Sequence, residues 1–226
     1  MENVTTCKGD IPYINLIEAL DADNLRHLMA HAQEQLLDRN AAIYDRGCEA
    51  DRVYIVKRGR VKLYTHGEDG KEVLKSLIHA GEIFGEGAMF GESCRRDFAA
   101  AMDEQTVVLE ILASDAVKLL RDLPGFSFNV TQQIAEKLRS AEKRIEALTF
   151  QNSRERIIEF LKETARKQGR KVGYETLLRP FLTHQDIGSL TTTSRQTVSS
   201  VLNELKGSNK IYYDRQRLLI RDMAGL

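Results

Sequence analysis

The apolar positions of this chain change their period twice. From Ile14 to Leu37 they fit a helical start, whereas from about Ala42 to Leu112 they fall into short β-rich runs, VYIVKRG, RVKLYTH, EVLKSLIHAG and TVVLEIL. Glycines at 47, 59, 67, 70, 81, 85, 87 and 91 separate these runs. Such punctuation predicts an antiparallel barrel or jelly roll, a compact β-roll, with Asp69-Gly70 at a hairpin turn. From Ser114 the period is helical again, and Pro124-Gly125 divides a short helix from a long one. Along the long helix Ile134, Leu138, Ala141, Ile145 and Leu148 recur at steps of four, three, four and three, with charged residues on both flanks. That is the seam of a two-stranded coiled coil, although an apolar stripe also fits a helix laid on its own β-roll. After a turn near Gln151-Asn152-Ser153 a further helix is expected over Arg154 to Lys167.

The stretch THQDIGSLTTTSRQTVSSVLNELK, Thr183 to Lys206, carries two helices in close succession. Thr183 stands three residues before Asp186, so hydroxyl and carboxylate can satisfy free amides at the start of a helix over His184 to Leu190. Three threonines then break the pattern, and Ser194 caps a second helix with Val198, Val201, Leu202 and Leu205 on one face and Gly207 at its end. Arg195, Gln196, Ser199 and Ser200 are left on the outer face near its N-terminus, where a recognition helix meets base edges. Helix spacing alone also fits an ordinary two-helix hairpin. The sequel KIYYDRQRLLI, Lys210 to Ile220, has β-forming residues on both sides of a charged turn at Asp214 to Gln216 and reads as a hairpin wing. Together they predict a winged helix-turn-helix that binds double-stranded DNA.

Net charge is zero, which argues against a nucleic-acid partner until it is divided along the chain. Residues 1–150 hold 19 Lys and Arg against 25 Asp and Glu, a net −6, and residues 151–226 hold 14 against 8, a net +6. The basic part coincides with the helix-turn-helix, as phosphate contact requires, and the acidic part is expected to stay off the DNA. No apolar run reaches membrane-spanning length and MENVTTCKGDIPY lacks signal-peptide character, so a cytoplasmic protein without a membrane partner is expected. Cys7, Cys48 and Cys94 form no CxxC pair, and His27 and His31, one helical turn apart, have no acidic ligand beside them, so no metal site and no cofactor is expected.

Within the β-roll, GEIFGEGAMFGESCRRDFAAA, Gly81 to Ala101, interrupts the strand pattern. Its glycines allow backbone amides to approach an anion, Arg95 or Arg96 can neutralise a phosphate, and Glu86 can accept ribose hydroxyls. A glycine-rich turn with a surface arginine pair fits the same residues.

A glycine-punctuated β-roll, a long seam-bearing helix and a winged helix resemble, over almost the whole chain, the superfamily of the cyclic-AMP receptor protein and the fumarate-nitrate reduction regulator. The specific parts are FGEGAMF with RRD after it, similar to the family's phosphate-binding cassette, and TSRQTVSSVLNELK, similar to its recognition helix. The resemblance implies an α+β fold: a cyclic-nucleotide-binding-type β-roll with N-terminal helices over 1–123, a dimerisation helix over 124–150 and a winged-helix DNA-binding domain over 151–226. It implies a homodimeric transcription regulator binding palindromic operators, with RNA polymerase as a further partner if it is an activator. Gly85, Glu86 and Arg96 match the cassette, but Asp97 stands where cyclic-AMP-binding members have serine, and Ala141 and Glu142 stand where they have a Thr-Ser pair against adenine. A carboxylate at the phosphate position repels it, so the expected effector is not cyclic AMP and its identity stays open. Iron-sulfur sensing is disfavoured because Cys7 is alone near the N-terminus, and haem sensing because no histidine lies within Gly81 to Gly91. The resemblance gives Arg195 the guanine-reading role, has Gln196 in place of a glutamate and Ser200 in place of a second base-reading arginine, and assigns phosphate contacts to Thr183, His184, Gln185, Ser194 and Thr197. Two other functions compete: a nucleotide-sensing module acting on a protein partner, and a cupin-type enzyme, for which His66 and His79 are too isolated.

Overall fold

The computed structural model describes residues 15–67, 70–179, 181–214, 217–223 and 225–226. Cys7, Asp69 of the expected hairpin turn, and Arg215 and Gln216 of the wing turn lie outside them.

The expected helical start is a correction. Helix α1 covers only Ala22–Ala30, capped by Asp21, whose side chain accepts from the amides of Asp23 and Asn24. Strand β1, Ala32–Leu37, follows at once. β1 pairs antiparallel with β8 (Thr106–Leu112), from Ala32 opposite Ile111 to Leu37 opposite Thr106. Long-range pairing has overridden a sequence that also suits a helix.

The β-roll contains two four-stranded sheets, with orders β1-β8-β3-β6 and β2-β7-β4-β5. Their remaining strands are β2 (Ala42–Tyr44), β3 (Arg52–Arg58), β4 (Arg60–His66), β5 (Glu72–His79), β6 (Ile83–Phe84) and β7 (Phe98–Ala101). β3 explains the layering. Val53 and Ile55 face a core shared with the helices, while Tyr54 and Val56 face a second core between the sheets. Its run of apolar residues therefore marks a strand covered on both faces. Gly59 turns β3 into β4 with φ +80°, and an added Cβ there would stand 2.7 Å from Thr106 Oγ1.

Helix α2 (Ala113–Asp122) leads into α3 (Pro124–Phe150), which starts with proline at its first position. α3 has two faces. Phe126, Asn129, Val130 and Gln133 are buried against the chain's own roll, and Ile134 is half-buried beside them. Ile134, the first residue of the expected seam, packs partly on its own roll, whereas Leu138 (60% exposed), Ile145 (65%), Leu148 and Ala141 face outward, as does Phe128. The stripe drifts because 3.6 residues per turn does not match a strict heptad.

The C-terminal part packs α4 (Ser153–Gln168), α5 (His184–Thr191) and α6 (Arg195–Gly207) on a sheet of order β11-β12-β10-β9. Asn152 and Glu155 close α4 with a capping box. β11 (Ile211–Tyr213) and β12 (Leu218–Ile220) form the expected wing hairpin, while β9 (Arg170–Val172) and β10 (Glu175–Leu178) were not anticipated. Ile157, Leu161, Ile187, Val198, Leu202, Leu205 and Ile220 form its core, and Leu77 and Met102 of the roll pack against that core from outside.

Candidate functional site

In the helix-turn-helix, the Thr183 hydroxyl accepts from the Asp186 amide at 3.1 Å, and the Asp186 carboxylate accepts from the Thr183 amide at 3.1 Å. α5 runs one residue past the expected Leu190, and Thr192 ends it in the left-handed region at φ +54°. Gly188 lets the turn fold tightly, since an added Cβ would stand 2.8 Å from the Thr193 carbonyl oxygen. Ser194 caps α6 by accepting from the Thr197 amide at 3.0 Å, and the two hydroxyls also pair at 2.8 Å. Val198, Val201, Leu202 and Leu205 are buried as expected. This leaves Arg195, Gln196 and Ser200 exposed at the start of α6, with Gln185 and Ser194 exposed beside them.

Ser199 differs from these neighbours. Its hydroxyl donates to the Arg195 carbonyl at 3.0 Å and pairs with His184 Nδ1 at 2.7 Å. With the hydroxyl proton given to Arg195, the imidazole must carry its proton on Nδ1. Burial, and then the Arg195 charge, hold the His184 pKa below its ordinary value. The pair ties α5 to α6 and turns Ser199 inward.

In the roll, β6 leads through Gly85 (φ +71°) into a short 3₁₀ helix, Glu86–Phe90. The neighbouring arginines have opposite fates. Arg95 is 3% exposed, donates to the carbonyls of Gly85 (3.2 Å) and Arg52, and lies 4.4 Å over the Tyr44 ring. Its Nε is buried with no hydrogen-bond partner among the described residues. Arg96 has an 83% exposed side chain, pairs with Glu92 at 2.7 Å and borders an open recess of about 530 Å³ with Arg46, Ser93 and Cys94.

The acidic residues of the cassette are also engaged. Asp97 accepts from the Tyr44 hydroxyl at 3.2 Å and from Lys75 Nζ at 3.0 Å. Burial and then the Asp97 charge push the Tyr44 phenol far above its ordinary pKa, so it stays a donor. Glu86 pairs at 2.7 Å with Lys137 of α3, which also donates to the Ile83 carbonyl at 2.6 Å. Gln133, one turn earlier on α3, accepts from the Ile83 amide at 2.9 Å and donates to the Gly81 carbonyl at 2.7 Å. Gly85, Glu86, Arg95 and Asp97 are thus each engaged within the chain, Arg95 with the Gly85 carbonyl, Glu86 with Lys137 and Asp97 with Tyr44 and Lys75, whereas Ala141 and Glu142 lie on the exposed side of α3. Sequence reasoning missed Tyr44, Lys75 and Lys137. Only the four-residue spacing of Gln133 and Lys137, which puts both on one helix face, could have hinted at the last.

His27 and His31 lie with ring centroids 5.4 Å apart, and no group of three or more His, Cys, Asp or Glu among the described residues is arranged to hold a metal ion. No helix among them is long and apolar enough to cross a membrane.

A family model for the cyclic nucleotide-binding domain matches residues 34–122, and one for the Crp-like helix-turn-helix domain matches residues 155–226. The chain is 29% identical over 209 residues to the cyclic AMP receptor protein of Thermus thermophilus, covering 92% of this chain and 93% of that relative. A solved variant of CooA from Carboxydothermus hydrogenoformans superposes with a TM-score of 0.79 at 28% identity, covering 94% of each chain. The c-di-GMP-responsive global regulator CLP of Xanthomonas campestris superposes with a TM-score of 0.75 at 20% identity over 88% of this chain and 99% of its own, a likeness of fold.

Proposed function

The chain belongs to the Crp/Fnr superfamily of transcription regulators, and on that premise we propose that it acts as a homodimer on palindromic operator DNA, under a signal other than cyclic AMP. The observation that carries the DNA reading is the start of α6, where Arg195, Gln196 and Ser200 are exposed while Val198, Val201, Leu202 and Leu205 bury the opposite face. Arg195 is assigned to guanine and Gln196 to adenine, the pairings their donor and acceptor patterns favour. Thr183, Gln185, Ser194 and Thr197 orient the domain on phosphates, with His184 and Ser199 bracing α5 against α6. The exposed Leu138, Ala141, Ile145 and Leu148 are assigned to the dimer seam, within a division at 1–123, 124–150 and 151–226.

For the effector, the supporting observation is Asp97. Its carboxylate already holds Tyr44 and Lys75, and Glu86 is already paired with Lys137. An incoming cyclic phosphate meets a negative charge and must displace these bonds. The name of the Thermus relative favours cyclic AMP as a second reading.

Selection of bound sequences from random duplex DNA by the ligand-free protein, followed by titration of the enriched site with and without cyclic AMP, tests both parts. A palindrome bound without ligand, its affinity falling roughly a thousandfold or more between about 50 and 200 mM salt, supports the proposal. Enrichment that requires cyclic AMP overturns the effector reading, and no enrichment under either condition overturns the DNA reading.

A further inference from the structure

Arg144 stands on the face of α3 turned to its own chain, seven residues beyond Lys137. Its guanidinium donates through Nη2 to the Ser189 carbonyl at 3.0 Å and to Thr192 Oγ1 at 3.4 Å, and through Nη1 to the Lys75 carbonyl at 3.3 Å. Ser189 supplies one of the last carbonyls of α5, and Thr192 is its left-handed end. One side chain of the seam-bearing helix therefore grips the end of the first helix of the helix-turn-helix and strand β5 together. A cation suits a helix C-terminus, where carbonyls lack partners. Burial alone lowers the Arg144 pKa, with no carboxylate to offset it, so converging carbonyl and hydroxyl oxygens are what hold it there.

The other links do a different job. Arg156 of α4 donates to the carbonyls of Thr191 (3.0 Å), Thr192 (3.1 Å) and Gln151 (2.8 Å), which secures the turn to α4 and the end of α3. Lys167 with Glu136 at 3.4 Å and Gln168 with His79 at 2.7 Å join α4 to α3 and to the roll, away from the helix-turn-helix. Arg144 alone among the hydrogen bonds described above runs from a side chain of α3 to the helix-turn-helix. α6 in turn follows α5, because Gly188 admits the close turn, the Thr193 amide donates to the Gly188 carbonyl at 2.8 Å and His184 holds Ser199.

We propose that Arg144 is a positioning residue that fixes the angle and separation of the two recognition helices, and so selects the spacing of half-sites rather than their sequence. This rests on the homodimer reading above. Moving one half-site by one base pair rotates it by about 35° and shifts it by about 3.4 Å, which a clamped pair of helices cannot follow.

The test compares full-length wild type, Arg144→Met and Arg144→Lys in selection from libraries with varied half-site spacing, followed by affinity measurements. Wild type is expected to enrich one spacing and to lose at least about tenfold in affinity when it changes by one base pair. Arg144→Met, which keeps the apolar stem without the donors, is expected to enrich the same half-site across neighbouring spacings, with changes below about threefold between them. Arg144→Lys is expected to restore part of the discrimination. An unchanged spacing optimum and tolerance in folded Arg144→Met overturns the clamp, as does altered half-site sequence with unaltered spacing. Should Arg144→Met fail to fold, Thr192→Ala, which removes one acceptor, and Arg144→Lys carry the same comparison. Failure of wild type to enrich any paired half-sites overturns the homodimer reading itself, and the clamp with it.

Discussion

Arg95 and Arg195 each follow a small side chain, Cys94 and Ser194, and lie close to the end of a helix, yet the chain uses them in opposite ways. Arg95 is sealed in the roll against two carbonyls and two tyrosine rings. Arg195 stands free at the start of α6. The same contrast holds for their surroundings. The cassette binds its own charges, Glu86 to Lys137 and Asp97 to Lys75, whereas the helix-turn-helix satisfies its backbone with caps and leaves Arg195, Gln196 and Ser200 exposed. A site whose polar groups are already partnered must exchange bonds to admit a ligand, while an open one gains them outright.

The largest effect expected from breaking this contrast is on the closed side. Arg95→Ala removes two charge-assisted hydrogen bonds and leaves a gap beside Tyr44, and should lower unfolding free energy in urea titrations by about 2–3 kcal/mol. Next is the open side. Arg195→Ala should leave stability unchanged and weaken operator binding by about 1–3 kcal/mol, concentrated at one base pair of each half-site. Normal affinity for the selected operator would mean that α6 does not read bases through this residue.

The joint between the two regions gives a smaller, pH-dependent effect. His79 at the end of β5 meets Gln168 of α4, and burial first, then Arg60, pulls its pKa from 6.5 to about 4. Asp103 and Lys167 also act on it, and its own amide donates to Glu82 at 2.7 Å. The unfolded chain takes up a proton near pH 6.5 and the folded chain only near pH 4. Stability from this group is therefore complete above about pH 7 and is lost as pH falls. Between pH 7 and 5 wild type should lose about 1–2 kcal/mol more than His79→Gln, measured by paired urea titrations. Equal pH dependence of the two proteins would remove His79 from the joint. The smallest effect sharpens the comparison within the cassette: Arg96→Ala, at an exposed ion pair, should change stability by less than about 0.5 kcal/mol despite lying next to Arg95.

Much of the C-terminal part was legible because its signals are local. Thr183 with Asp186 and Ser194 before α6 fix where helices begin, and the helical period of Val198, Val201, Leu202 and Leu205 fixes which side of α6 is buried. The roll was legible in its long strands β3, β4, β5 and β8, but β2 and β6 are short, and the alanines of β7 carry little strand preference. β1 was misread because its residues suit either state until β8 offers a partner. Within the candidate sites, Arg195 and Gln196 emerge as expected on the outer face, while the inward turn of Ser199 depends on His184 fifteen residues away.

The sequence by itself determined the starts of α5 and α6, the buried face of α6, the winged helix-turn-helix and the division of charge, since these follow from backbone satisfaction and side-chain period over a few residues. The tertiary structure alone decided that Arg95 is sealed while Arg96 is exposed, that Ile134 faces its own roll while Leu138 faces outward, and that Asp97, Glu86 and the end of α5 are each met by a cation from far along the chain. Those outcomes depend on which surfaces lose water when distant segments meet, and no local pattern encodes that.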